Sequence, residues 1–337
     1  MHTETSQSRF LELISAFAGK RVLAIGDLML DEFIWGRVSR ISPEAPVPVV
    51  NVTGESYYPG GAANVARNLR EFTRETSVAG ITGADAPGRQ LVELLAEAGI
   101  RTDGVVEDAG VLTTVKTRVI ARNQQVVRVD RERKVALTAE QQSRVCRYLE
   151  RAIAETDGIV VADYGKGFLS QPLADEICRL ARRHSKVLAV DPHPHTALVW
   201  NGATVIKPNR AELFLAAGLP PAEPVEPVCQ DAALIGAAKR LVDSWQPQSL
   251  LITLAEQGML LVERDTEPVH LAARAREVFD VSGAGDTAIA VLTLGLVAGG
   301  TAAEAAELAN RASGIVVGKI GTATLTAAEL IASLERG

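Results

Sequence analysis

"FDVSGAGDTAIAVLTLGLVAGG", residues 279–300, decides how the chain is read. Gly283-Ala284-Gly285-Asp286-Thr287-Ala288 has the G-x-G-x-x-A spacing of a dinucleotide fingerprint, yet carries a carboxylate where that fingerprint tolerates almost any residue. A dinucleotide fold places its glycines between the first strand and first helix, with an acid about 20 positions on at the end of the second strand. Here a long apolar helical pattern follows the glycines, and Glu304, at roughly that spacing, falls inside a second helical pattern, "TAAEAAELANRASGIVVGKIG". The dinucleotide reading fails on context. The same glycines let main-chain N–H groups point into a concavity at a helix start, which suits an anion such as a phosphoryl group. Asp286 in the first turn can accept the proton of an attacking hydroxyl. The plainer alternative is a carboxylate that only complements the helix dipole.

Working outward, 337 residues with 47% hydrophobic content can bury a large core. The formal charge of −6 argues against nucleic acid or an anionic membrane as partner. Any phosphate ligand must be met locally. Cys146, Cys178 and Cys229 are scattered and odd in number, so neither a disulfide framework nor a zinc site is expected. With no signal-peptide pattern and no long apolar run, the expected setting is the cytoplasm.

Strand patterns alternate with helical ones: "RVLAIGD", "TSVAGITG", "GIVVAD", "KVLAVD", "ATVIKPN" and "LLITL", with helices at "GGAANVARNLREF", "DAPGRQLVELLAEAGI", Gln141 to Ala154, Pro172 to Arg183 and Ala232 to Trp245. This rhythm implies a mainly parallel sheet covered by helices on both faces, a three-layer α/β/α body. One-sided alternating strands near 33–52 and 111–135 break the rhythm and are expected to form a small inserted β-sheet lid, the whole chain 1–337 being one domain. The segment "LPPAEPVEPVCQ" reads as a surface loop. Asp27, Asp163 and Asp191 each end an apolar run, where open α/β sheets bind ligands; each alone could equally be a strand-ending or capping residue.

"DVSGAGDT" (280–287) resembles the C-terminal signature of the ribokinase-like, or PfkB, carbohydrate kinases, and "GGAANVARNL" (60–69) resembles their N-terminal signature. "KPNRAE" (207–212) resembles the N-x-x-E element that holds magnesium and nucleotide phosphates in this family. The resemblance implies a ribokinase-like fold, ATP and Mg2+ as cofactors with room for a monovalent cation such as K+, and a homodimer packed through the lids. It implies Asp286 as base, with Gly283, Ala284 and Gly285 receiving the phosphoryl group. Asn209 and Glu212 would serve the metal; Asn209 is also an ordinary helix cap. Lys207 would add charge near the phosphates, and Thr253, Gly258, Asn310 and Gly314 would line the nucleotide pocket, core packing being the alternative.

"DLMLDEFIWGRVSRISPEAPVPVV", "DYGKGFL", "VDPH" and "GKIGTAT" resemble, within that family, kinases of D-glycero-β-D-manno-heptose 7-phosphate, which act toward ADP-heptose for the lipopolysaccharide core. Such kinases are often fused to an adenylyltransferase. No H-x-G-H motif appears here, so only the kinase step is expected. "DVS" and "KPN" depart from the commoner D-T-T and T-P-N. The resemblance assigns the sugar to Asp31, Asn64, Gly60 and Gly61, with Asp27 orienting them. A substrate already bearing a phosphate needs cations; Lys116, Arg118, Arg122, Arg128 and Lys166 are the candidates, a solvated face being the alternative. Lys116, Arg118 and Arg122 share strand parity and are expected on one side. His193 and His195 in "DPHPH" have no third partner nearby and read as a loop.

Overall fold

The computed structural model describes residues 7–122, 124–134, 136–274, 278–319 and 321–335. Its strands are β1 (Arg21–Gly26), β2 (Leu28–Ile41), β3 (Pro48–Gly61), β4 (Glu75–Gly83), β5 (Ile100–Asp108), β6 (Thr114–Ala121), β7 (Gln124–Arg131), β8 (Gly158–Ala162), β9 (Val187–Asp191), β10 (Val205–Ile206), β11 (Ser249–Thr253), β12 (Met259–Glu263) and β13 (Val269–Leu271). Its helices are α1 (Gln7–Phe17), α2 (Ala62–Arg70), α3 (Ala86–Glu97), α4 (Ala139–Glu155), α5 (Gln171–Arg183), α6 (Arg210–Ala216), α7 (Ala232–Trp245), α8 (Ala284–Val297), α9 (Ala302–Val316) and α10 (Ala327–Leu334).

Nine strands form one sheet in the order β13-β12-β11-β10-β9-β8-β1-β4-β5, parallel from β5 to β11 and antiparallel at β12 and β13. Strand side chains point alternately to opposite faces, and the sequence supplies apolar residues for both. In β1, Val22 and Ala24 enter the core beneath α1, α2, α8 and α9, while Leu23 and Ile25 enter the one beneath α4, α5 and α7. Val160 and Ala162 of β8 divide from Ile159 and Val161 in the same way. The three-layer body expected from the strand and helix rhythm is therefore present. α8 is buried at every position from Asp286 to Gly295, as a central helix must be.

A second sheet, in the order β3-β2-β6-β7, stands apart from the first. It is longer than the 33–52 expectation, because β2 starts at Leu28 and β3 ends at Gly61. Leu28, Met29 and Leu30 are buried, so their apolar run hides the point where the chain leaves the body. That point is Gly26–Asp27, where a Cβ on Gly26 would lie 2.0 Å from Ala162 O. Asn123 and Val135, within the second expected range, lie outside the described residues.

β5 carries no clean alternation. Among the described residues it pairs only with β4, and Gly104 sits where a Cβ would lie 2.5 Å from the Tyr148 ring. "ATVIKPN" pairs over Val205–Ile206 alone, since Pro208 has no N–H to extend the ladder. Glu304 is accounted for locally: its carboxylate accepts Thr301 N at 2.8 Å and its N–H donates to Thr301 Oγ1 at 3.2 Å, a capping box for α9. Among the described residues, no helix is long and apolar enough to cross a membrane.

Candidate active site

Four segments converge beyond the carboxyl ends of β1 and β8: Asp27, the loop 163–168, the start of α2 and the start of α8. Gly283 opens α8 with φ 81°, in the left-handed region that favours glycine. Ala284 N–H turns back to Val281 O, and Thr287 N–H bonds Gly283 O, so the amides of Gly285 and Asp286 are left at the helix mouth without intrahelical partners. Asp286 stands in this first turn, buried. Tyr164 Oη donates to its Oδ1, and Asn64 Nδ2 donates to its Oδ2 at 2.6 Å. Burial pushes the Asp286 carboxyl up to about 6, against the lowering effect of those two bonds. A carboxyl with that value, held by two donors, can take up a proton near neutral pH.

Asn64 lies in α2, which packs on α8. One turn along, Thr287 Oγ1 donates to Asn68 Oδ1 at 2.7 Å, and Asn68 Nδ2 donates to Asn64 O at 2.9 Å. The buried polar rungs satisfy one another and fix the two helix starts. Among the described residues Asn64 Oδ1 and Thr322 Oγ1 are buried with no partner, and both residues flank Gly283. An unmet buried acceptor beside a carboxylate is suited to a ligand hydroxyl. Gly61 has φ 61°, and a Cβ there would lie 2.5 Å from Asp27 O; one on Gly60 would lie 2.5 Å from Asp31 Oδ2.

Asp27 turns out to organise a loop. Its Oδ2 accepts Tyr164 N and Lys166 N, at 2.9 and 3.0 Å, and its Oδ1 accepts Phe168 N at 3.1 Å. Asp163 is likewise occupied, by Gly165 N at 2.8 Å and Thr196 Oγ1 at 2.6 Å. Both acids thus hold Tyr164 in place. Tyr164, absent from the sequence-based candidates, had one signal: it follows a strand-ending acid in the quoted "DYGKG".

Lys207 is buried, with Nζ 3.0 Å from Asp191 Oδ2, and a Cβ on Gly285 would lie 3.5 Å from that Nζ. Burial pushes Asp191 up to about 6 even with the ammonium beside it. Asn209 caps α6 by accepting Glu212 N at 2.9 Å, while Glu212 Oε2 accepts Asn209 N at 2.7 Å. A single parallel bridge joins Asn209 to Thr253. Gly258 turns the chain into β12, where a Cβ would lie 2.1 Å from Leu271 O. Asn310 is buried and donates to Ala272 O at 2.7 Å, tying α9 to the exit of β13; Gly314 lies one turn further along α9.

Lys116, Arg118 and Arg128 of the second sheet are paired. Arg118 bonds Asp31 and covers the Phe33 ring, and Arg128 chelates Asp130 at 2.8 and 3.0 Å. Lys116 and Lys166 both approach Glu132. Lys116 and Arg118 share a face as expected; Arg122 does not, because it occupies the turn after β6 at φ 50°. His193 packs on Gly165, where a Cβ would lie 2.9 Å from Nδ1. Among the described residues no three His, Cys, Asp or Glu groups converge to hold a metal.

The fold and this cleft define a ribokinase-like phosphotransferase. Residues 20–328 match the family described as pfkB family carbohydrate kinase, and the chain belongs to that family. It is 44% identical over 322 residues to the bifunctional protein HldE of Desulfatibacillum aliphaticivorans, covering 96% of this chain and 64% of that one. Its identity to HldE of Paramagnetospirillum magneticum is 42% over 332 residues, 98% of this chain and 67% of that one. The chain thus spans about two thirds of the length of the curated relatives it matches. The fold is similar to Escherichia coli phosphofructokinase-2 in complex with potassium, with TM-score 0.74 and 21% identity over 95% of this chain and all of that one. It is also similar to Arabidopsis thaliana ribokinase complexed with ribose and ATP, with TM-score 0.71 and 15% identity over 94% of this chain and 99% of that one.

Proposed function

We propose that the chain acts as one kinase unit that moves the γ-phosphoryl group of ATP to the anomeric O1 hydroxyl of D-glycero-β-D-manno-heptose 7-phosphate, giving heptose 1,7-bisphosphate on the way to ADP-heptose and the lipopolysaccharide core. The observation that carries the reading is Asp286, buried at the mouth of α8 between Tyr164 and Asn64. In this reading the sugar hydroxyl donates to Asp286 as it attacks, and the bare amides of Gly285 and Asp286 meet the developing charge. Asn64 Oδ1 accepts from the sugar, and Gly60 and Gly61 let the ring approach the backbone. The four-stranded sheet serves as a lid that excludes water. Similarity to the HldE proteins favours the heptose phosphate, and cations gathered in and beside this sheet suit a substrate that already bears a phosphate.

Lys207, near Gly285, suits the nucleotide phosphates, and Asn209, Glu212 and Thr253 lie together on the same side. Magnesium needs only one or two protein oxygens, which Glu212 with Asn209 can offer once the cap loosens; bound there, Mg2+ draws charge from the phosphate oxygens. A monovalent cation such as K+ belongs to the same proposal, and the unmet Thr322 Oγ1 is a neutral oxygen of a suitable kind.

Strand alternation gives the lid two faces: Asp31, Lys116, Arg118 and Asp130 on one, and Ile34, Val119, Val127 and Val129 on the other. Val127 and Val129 are 47% and 55% exposed on a face that also carries Glu32, Glu55 and Arg131, and these exposed valines support a homodimer packed through the lid. The three free thiols fit the cytoplasm.

The test is an ATP-dependent screen over heptose 7-phosphate, fructose 6-phosphate, ribose and fructose, read by phosphorus NMR. An anomeric phosphate signal with the heptose substrate is expected. Turnover of ribose or fructose in preference to it would replace the sugar assignment.

A further inference from the structure

Glu132 follows the last residue of β7, and its Oε2 lies 2.7 Å from Lys166 Nζ and 4.0 Å from Lys116 Nζ. The two lysines come from different parts of the fold. Lys116 is in β6, an inner strand of the lid. Lys166 is in the loop that Asp27 pins through Tyr164 N, Lys166 N and Phe168 N. Asp130 Oδ2 assists from 3.6 Å from Lys116, but Asp130 is already chelated by Arg128. Arg118 is engaged with Asp31. Two ammonium groups drawn toward one oxygen repel each other unless an anion stands between them. Here that anion is a side chain of the protein.

The anchoring is unequal. The Lys166 backbone is held by its part-buried N–H bond to Asp27 Oδ2, two residues from the Tyr164 that touches Asp286. Glu132 sits at the end of an edge strand that is exposed at every position and, among the described residues, pairs only with β6. The movable partner is therefore the carboxylate, and the fixed partners are cations. A phosphate monoester presents the same kind of oxygen with more charge, and it bonds ammonium groups more strongly than a carboxylate does.

We propose that Glu132 is a specificity-determining residue that occupies the anion subsite between Lys116 and Lys166 and is displaced by the phosphate already present on the sugar. The proposal rests on the reading of a phosphate-bearing substrate. A neutral sugar leaves the carboxylate in place. Selectivity for a phosphorylated acceptor then comes from an internal competitor as well as from the cations themselves, a repulsive device set against the wrong ligand.

The test is calorimetric titration of the full chain with inorganic phosphate, heptose 7-phosphate, fructose 6-phosphate and fructose, using wild type, Glu132→Gln, Lys116→Met and Lys166→Met. Glu132 is partly exposed, so E132Q is expected to fold, checked by its melting temperature. E132Q should bind inorganic phosphate and the sugar phosphate about fivefold more tightly, with fructose affinity unmoved, and each lysine variant should bind the phosphates about tenfold more weakly. E132Q that binds phosphate no better than wild type overturns the competitor, as does phosphate that binds neither protein at millimolar concentration. If the lysine variants also match wild type, the phosphate-bearing acceptor falls with it. Tighter phosphate binding by E132Q in an enzyme that fails to phosphorylate heptose 7-phosphate would keep the competitor and reject only the sugar.

Discussion

Tyr164 Oη donates a hydrogen bond to Asp286 Oδ1 at the mouth of α8, the carboxylate buried and the tyrosine half-buried. The bond favours the ionised carboxylate, while burial opposes it and prevails, leaving Asp286 near 6. With a basic form that dominates only above that value, kcat/KM should rise through about pH 6 to a plateau. Tyr164→Phe removes a bond that lowers the value, so its acid limb should move to higher pH. A pH profile of both proteins checks this, and an unmoved limb would separate Tyr164 from the base.

Asp286→Asn should retain substrate binding and lose roughly 10²- to 10⁴-fold in kcat; near-normal turnover would remove Asp286 as base. The same variant tests the electrostatics. A carboxyl whose folded-state value lies above its unfolded value of 3.8 contributes stability present below that value and lost as pH rises through about 6. At pH 8 the neutral variant should therefore resist urea better, on the order of 1–3 kcal/mol, and the advantage should fade by pH 4.

Thr287→Val leaves Asn68 Oδ1 without its buried donor between α2 and α8. The expected loss is about 1–3 kcal/mol of stability by chemical denaturation, with kcat reduced because the two helix starts no longer hold their spacing.

Lys207→Thr removes the ammonium beside Gly285 and leaves Asp191 buried alone, which drives that carboxyl further upward. Nucleotide KM should rise or kcat fall by about tenfold. Steady-state kinetics with both parameters unchanged would exclude Lys207 from the phosphate site.

The chain should sediment as a dimer at micromolar concentration, and Val129→Glu, which puts a charge among the exposed valines of the lid, should shift it to monomer. A wild type that is monomeric under these conditions rejects the lid contact.

Much of the body was legible because its strands carry apolar residues for both faces, as in "RVLAIGD" and "GIVVAD". The edge strand β5 was not, since one exposed face and Gly104 blur its period. Gly61 and Gly283, both singled out in the sequence, sit at φ 61° and 81° at the starts of α2 and α8. Side-chain pairing was the illegible part: Asp27 and Asp163 looked like ligand groups and are found holding a loop, and Arg118 and Asp31 are found holding each other. Tyr164 escaped because nothing in its neighbours reveals that its hydroxyl meets a residue 122 positions away.

Asn64 and Asp286 are separated by 222 positions of chain. During synthesis, then, Asn64 leaves the ribosome long before the carboxylate it bonds, and the pair can close only after α8 has been made.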